Sequence, residues 1–231
     1  MLDTTTLPIT FENTRLRALS DWDAEAYASG TRDEAVRRFG HLPEPDYTPD
    51  SVRRMIRDEV AVGLSTGTLA VLALADAETD RFVGSMVLFD VSSEAAEVGF
   101  WIHPDARGAG HARRGLELAS RFARNSGLRT LTARTLLENK ASQRCLTNAG
   151  FHEVERAVGT TPAGQREELF HYRRALKPNA LKSDRSKTPH RPPNTTTSSN
   201  KKPTSPPATA PCATPASSPS PPPRSKTSTP T

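Results

Sequence analysis

The sequence predicts an α/β fold of the α+β kind: a mixed, mostly antiparallel central sheet with a parallel crossover, flanking helices, and a disordered C-terminal tail. Three observations predict it. Extended apolar runs at residues 69–74, 82–89 and 97–102 follow one another closely, as in a meander. A segment of helical period starts at Ala112, so the next extended run, 130–135, is reached by a crossover and lies parallel to its partner. Composition then changes abruptly after Leu176.

In chain order, residues 9–11 and 16–19 read as a first hairpin, and Asp21 as the cap of a short helix reaching about Ser29. Pro43, Pro45 and Pro49 forbid a regular element over 39–49, which reads as a loop. A second helix opens at Asp50 or Ser51, with Val52, Met55, Ile56 and Val60 on one side and Gly63 near its end. The meander follows, its first two strands joined around Asp76 to Asp80. Ala112, Leu116, Ala119, Phe122 and Ala123 then mark the inner face of the central helix, while Arg113, Arg114, Glu117, Arg121 and Arg124 fill the other face and Gly127 stops it. After the fifth strand, Asn139 starts a last helix that Gly150 caps, and residues 151–158 and 168–174 close the fold as an antiparallel pair around Pro162, Ala163 and Gly164.

The chemistry concentrates at Arg107, Gly108, Ala109, Gly110, His111 and Ala112, between the strand over 97–102 and the central helix. Two glycines let the backbone approach a ligand, and the unpaired N–H groups of a helix's first turn favour an anion. A plain strand-to-helix turn would use the same residues. The segment lacks the Lys-Ser/Thr ending of a P-loop and the glycine spacing of the dinucleotide fingerprint.

Arg107, Gly110 and Ala112 fit the form Arg/Gln-x-x-Gly-x-Gly/Ala, and Asn139 with Ser142 and Gly150 with Phe151 follow in order. With these three motifs the chain resembles the GNAT superfamily of N-acetyltransferases, nearest the ribosomal-protein-alanine (RimJ/RimL-like) branch, over roughly residues 9–176. The resemblance implies acetyl-CoA as acyl donor, bound at Arg107, Gly108, Ala109, Gly110, His111 and Ala112, mostly through backbone N–H groups. It also implies a cofactor strand, splayed from its neighbour, that holds the pantetheine arm along Phe100, Trp101 and Ile102. Asn139 would bind the cofactor through its side chain and Ser142 would lie near its sulfur, although Asn139 serves equally as a helix cap. His111 falls on a variable position of the motif, so its imidazole is expected on the phosphate side or exposed. The loop 39–49 would line the acceptor side, with His41, Glu44, Asp46 and Tyr47 either selecting the amine or simply solvated.

An amine attacking a thioester needs a positioned donor, a base, an oxyanion site and a proton for the thiolate. Glu97, on the cofactor strand, is the catalytic base expected, against a solvated position or an ion pair. Ser142 is the expected acid, and Tyr172 is a second phenolic choice or a core residue. No metal is needed, and His103, His152 and His171 lack metal-ligand spacing.

Residues 177–231 contain no Gly and no Phe, Trp or Tyr, yet hold 14 of the 20 prolines. Such a segment cannot bury enough apolar surface to fold, so the chain divides into an acetyltransferase domain, 1–176, and a disordered tail, 177–231. The tail carries nine Lys or Arg against Asp184 alone, a net of +8, which leaves about −3 of the chain's +5 for the domain. A basic tail without aromatic stacking groups argues against nucleic-acid binding by the folded domain. Cys145 and Cys212 form no stapling framework, and Cys145 reads as an inert core thiol. No apolar run reaches membrane-span length, and Met1 to Thr4 begin neither a basic nor an apolar export segment, so a cytoplasmic protein is expected. The expected partner is an amine acceptor, a protein N-terminus or a small molecule, and a homodimer is compatible with the sequence. Two further functions stay open beside N-terminal acetylation: acetylation of a small-molecule amine of the antibiotic type, and a catalytically inactive acyl-CoA-binding module.

Overall fold

The computed structural model describes residues 1–177 except 41, 162, 163 and 165, so His41, Pro162, Ala163 and the expected tail beyond Lys177 lie outside the described residues. Strands β1 (Ile9–Phe11) and β2 (Thr14–Ala18) form the opening hairpin. Helix α1 (Ala24–Gly30) follows a 3-10 turn over Asp21–Asp23, and the cap is Ser20 rather than Asp21, because Ser20 and Asp23 bond reciprocally across the turn. A helix where the sequence reading assigned no element, α2 (Glu34–Phe39), is capped by Asp33, which accepts from the Val36 N–H at 3.0 Å.

Helix α3 (Pro49–Met55) begins one or two residues earlier than the expected Asp50 or Ser51, since Thr48 caps it and Pro49 occupies its first turn, where no N–H is needed. It widens to π geometry over Ile56–Val60 and continues as α4 (Ala61–Thr66). Then come β3 (Ala70–Asp76), β4 (Phe82–Phe89), β5 (Ala95–Ile102), α5 (His111–Asn125), β6 (Thr130–Leu136), α6 (Lys140–Asn148), β7 (His152–Thr160) and β8 (Arg166–Ala175). Both long helices end in the left-handed cap that Gly127 and Gly150 announce. After α5, the Leu128 N–H reaches the Ala123 carbonyl, and after α6, the Phe151 N–H reaches the Leu146 carbonyl.

The eight strands of the described residues lie in one sheet, in the order β1-β2-β3-β4-β5-β6-β8-β7. Every neighbouring pair is antiparallel except β5 and β6, as the crossover through α5 requires. The last hairpin folds with β8 inside and β7 at the edge. Alternation along the strands sends Leu72, Leu74, Met86, Leu88 and Val98 toward α5, where Leu116 and Phe122 are fully buried. Ala73, Phe82 and Trp101 pack on the other face with Tyr27, Tyr47 and Val52. The functional elements therefore sit between two separately packed layers.

Candidate active site

The site begins where β5 and β6 part. They pair in register only at Ala95, Ala96 and Glu97, opposite Thr130, Leu131 and Thr132. The Glu94 carbonyl accepts from the Arg129 and Thr130 N–H groups, and backbone groups two residues apart face the same side of a strand. Val98, Phe100 and Ile102 therefore aim their main-chain groups at the side that β6 has left. Trp101 aims its main chain at β4, opposite Ser85, and its indole is buried edge-on to Tyr27 at 5.1 Å between ring centres. Phe100 and Ile102 thus present main-chain groups to the opening, and Trp101 presents a ring.

A cavity of about 330 Å³ passes through this opening. On the α1–α3 side it is lined by Tyr27, Leu42, Tyr47, Val87, Phe89 and Trp101, with Glu44 and Glu59, and on the α6 side by Asn139, Ser142 and Leu146. Burial pushes the Tyr27 phenol well above its ordinary range, although Trp101 and Ser85 face its oxygen. Burial, with Glu44 and Glu59 nearby, pushes the Tyr47 phenol up to about 12. Both phenols stay protonated at neutral pH and can donate hydrogen bonds.

Glu97 lines the same cavity, its side chain 13% exposed. Its two carboxylate oxygens accept from Arg134 Nε at 2.8 and 3.0 Å, and Arg134 also donates to the Thr160 carbonyl at 3.1 Å. Arg134 escaped sequence reasoning, but register could have found it. Glu97 pairs with Thr132, so Arg134, two residues along, shares its face of the sheet.

At the end of β5 the chain makes a short 3-10 turn, Pro104–Ala106, and enters the glycine turn. Gly108 and Gly110 both have left-handed backbones, φ +81° and +80°. The first helical bond of α5 runs from the Arg114 N–H to the Gly110 carbonyl, so the N–H groups of His111, Ala112 and Arg113 have no acceptor within the helix. Arg107 does not reach over this turn. Its guanidinium forks onto Asp33 at 2.5 and 3.3 Å, joining the turn to the start of α2 and holding the Asp33 carboxyl below its usual value.

Two expectations of exposure are overturned. His111 is not exposed: only 5% of it is accessible, and Nδ1 meets the Thr14 hydroxyl of β2 at 2.8 Å. Arg114, assigned to the wet face, is also buried. The cause is the β1–β2 hairpin, which packs on the first turns of α5 and turns what would be a solvated face inward. Burial, together with Arg114, lowers the His111 pKa and keeps the ring neutral.

Asn139 caps α6 by accepting from the Ser142 N–H at 3.1 Å, and both residues line the cavity. Tyr172 is buried in the core layer under α5, its phenol raised by burial, and Cys145 is a half-buried thiol raised by the same cause. Asp46 is an exposed residue in a surface ion pair with Arg37, as the solvated alternative has it, whereas Tyr47 is buried. Among the described residues no group of three or more His, Cys, Asp or Glu gathers as a metal site, and no helix is long and apolar enough to cross a membrane.

The sheet is thus split between two parallel strands, and β5 leads into a left-handed glycine turn and a helix amino terminus. The chain belongs to the GNAT acetyltransferase family: the family model described as an acetyltransferase (GNAT) domain matches residues 13–152. Solved structures agree in fold. Ribosomal-protein-S5-alanine acetyltransferase from Vibrio fischeri superposes with a TM-score of 0.63 at 15% identity, covering 74% of this chain and 97% of its own. RimJ from Mycobacterium smegmatis, in complex with CoA-disulfide, gives 0.64 at 17%, covering 70% and 81%. Spermidine N-acetyltransferase from Vibrio cholerae, in complex with CoA and spermine, gives 0.60 at 17%, covering 71% and 96%. No curated protein sequence matches the chain.

Proposed function

We propose that the chain moves an acetyl group from acetyl-CoA to a primary amine by direct attack in a ternary complex. One observation carries the reading: an aromatic-lined cavity lies at the β5–β6 gap, and β5 runs on through a short turn to the α5 amino terminus, so a thioester held along β5 would meet an amine entering from the far side of the sheet. Gly108, Ala109, Gly110, His111 and Ala112 would hold the diphosphate through main-chain N–H groups. Arg107, tied to Asp33, supports that turn from below. Phe100 and Ile102 would bond the pantetheine arm with the main-chain groups that β6 leaves unpaired, while the Trp101 ring walls the acyl end. Asn139 would face the arm and Ser142 its sulfur.

In the reaction the amine nitrogen forms a bond to the thioester carbon, and the C–S bond breaks as the intermediate collapses. Glu97 would take the ammonium proton, directly or through one water, with Arg134 holding its carboxylate against the cavity wall. A main-chain N–H of β5 would face the oxyanion, and the Ser142 hydroxyl would pass its proton to the leaving thiolate while taking up the second proton released by the attacking nitrogen, so that it ends as a hydroxyl. With a thiol pKa of roughly 8.5 the leaving group asks little of that acid.

A protein α-amino group suits this site, because its pKa of about 7.7–8.0, against roughly 10.4 for Lys, leaves more free amine at neutral pH. A small-molecule amine is the second reading, favoured by the aromatic floor of Tyr27, Tyr47 and Trp101 beside Glu44 and Glu59. Thiol release from acetyl-CoA with a panel of N-terminal peptides and small amines separates the two. Acetyl-CoA binding without release for any amine would leave only the inactive binding module.

A further inference from the structure

We propose that Arg114 is a positioning residue that holds the glycine turn in its anion-binding shape. The inference rests on the diphosphate reading of that turn given above. Burying a guanidinium costs several kcal/mol unless its donors are satisfied, and here all three nitrogens are used, each on a different segment. Nε donates to Thr14 Oγ1 at 3.0 Å on β2, Nη1 to Glu12 Oε2 at 3.3 Å in the β1–β2 turn, and Nη2 to the Ala109 carbonyl inside the glycine turn.

The third contact sets the aim of the turn. In a planar trans peptide the carbonyl and the next N–H point in opposite directions. Drawing the Ala109 carbonyl down onto Arg114 therefore turns the Gly110 N–H outward, and it removes a carbonyl dipole that would repel an anion. The guanidinium also fills the space where a Cβ on Gly110 would stand, 2.9 Å from Nη1. Its charge under the first turn of α5 adds to the positive end of the helix.

Thr14 completes the brace. Its oxygen accepts from Arg114 Nε at 3.0 Å and shares a second hydrogen bond with His111 Nδ1 at 2.8 Å. Thr14 thus fastens two side chains of the first turn of α5 to β2.

The test compares two donors by equilibrium titration of the full chain: acetyl-CoA, and S-acetylpantetheine, which has no diphosphate. Arg114→Met should weaken acetyl-CoA binding by about 10–100-fold, the equivalent of one hydrogen bond to a charged group, while changing S-acetylpantetheine binding by less than about twofold. Should Arg114→Met fail to fold, Arg114→Gln serves, because it keeps the reach to Thr14 but lacks both the charge and the fork to Ala109; the same split is expected. Parallel losses on both donors would make Arg114 a structural residue only, and unchanged acetyl-CoA affinity would remove it from the site. A wild-type chain with no preference for acetyl-CoA over S-acetylpantetheine would overturn the diphosphate reading itself, and the proposal with it. A preference in the wild type that Arg114→Met leaves intact overturns the proposal alone.

Discussion

Gly108 and Gly110 share one backbone conformation but not one environment, so substituting each should give different results. A Cβ at Gly108 meets nothing within 4 Å, and Gly108→Ala adds only the left-handed strain of an L-residue, about 1–2 kcal/mol. The turn can keep its course, and acetyl-CoA affinity should fall by no more than about tenfold. At Gly110 the strain is similar, but the Cβ would lie 2.9 Å from Arg114 Nη1 and 3.3 Å from its Cζ, on a guanidinium fixed by Thr14, Glu12 and Ala109. Gly110→Val must therefore rotate the turn. If two N–H contacts to the diphosphate are lost, at roughly 1.5–3 kcal/mol each, affinity falls by roughly 10²–10⁴-fold. Calorimetric titration with acetyl-CoA, beside a thermal melt showing that each variant is folded, measures both. A folded Gly110→Val protein with affinity within about threefold of wild type, under 1 kcal/mol, would refute the assignment of the diphosphate to this turn.

Glu97→Gln should lower turnover by roughly 10²–10⁴-fold with partial recovery as pH rises from neutral, read by thiol release at saturating donor. Wild-type turnover in that variant would leave Glu97 as a partner of Arg134 and nothing more. Ser142→Ala should cost less and show no such recovery, since it removes an acid from a good leaving group; a loss as large as that of Glu97→Gln would contradict this division. The Asp33 carboxyl is held below its ordinary 3.8 by Arg107, so its pairing stabilises the fold fully above about pH 4 and is lost as pH falls through the lowered value. Asp33→Asn should accordingly reduce the melting temperature at neutral pH and flatten the acid limb of the melting curve, and an unchanged limb would count against the pair. A chain ending at Leu176 should keep the melting temperature and acetyl-CoA affinity of the full chain, because the last anchors of the fold are the buried Leu176 side chain and its N–H on the Arg129 carbonyl at 2.7 Å. Salt-sensitive binding to polyanions should disappear in the same shortened chain, and its persistence would locate the basic surface on the domain.

Local signals carried most of the fold because they act within a few residues. The continuous apolar runs of β3 to β5, the helical period from Leu116 to Ala123, and the glycines at 110, 127 and 150 each express a preference that no distant neighbour had to supply. The same holds for the glycine turn and the Asn139 cap, whose residue types suit their backbone positions in nearly any context. Even the overlooked α2 was legible at this range, since Asp33 before Glu34 is an ordinary helix start.

The sequence by itself therefore determined the elements, the mixed sheet and the position of the turn, through torsional preferences and periodicity. Only the tertiary structure decided which way the side chains around that turn face. Arg114 and His111 lie inward because β1 and β2, about a hundred residues earlier, cover the start of α5. Arg107 bonds Asp33, and Glu97 bonds Arg134, because separate segments converge. Helical phase or strand alternation names the face a residue occupies, but water or protein on that face is settled by what packs there. That is why the turn could be found by pattern, and the charges that shape it could not.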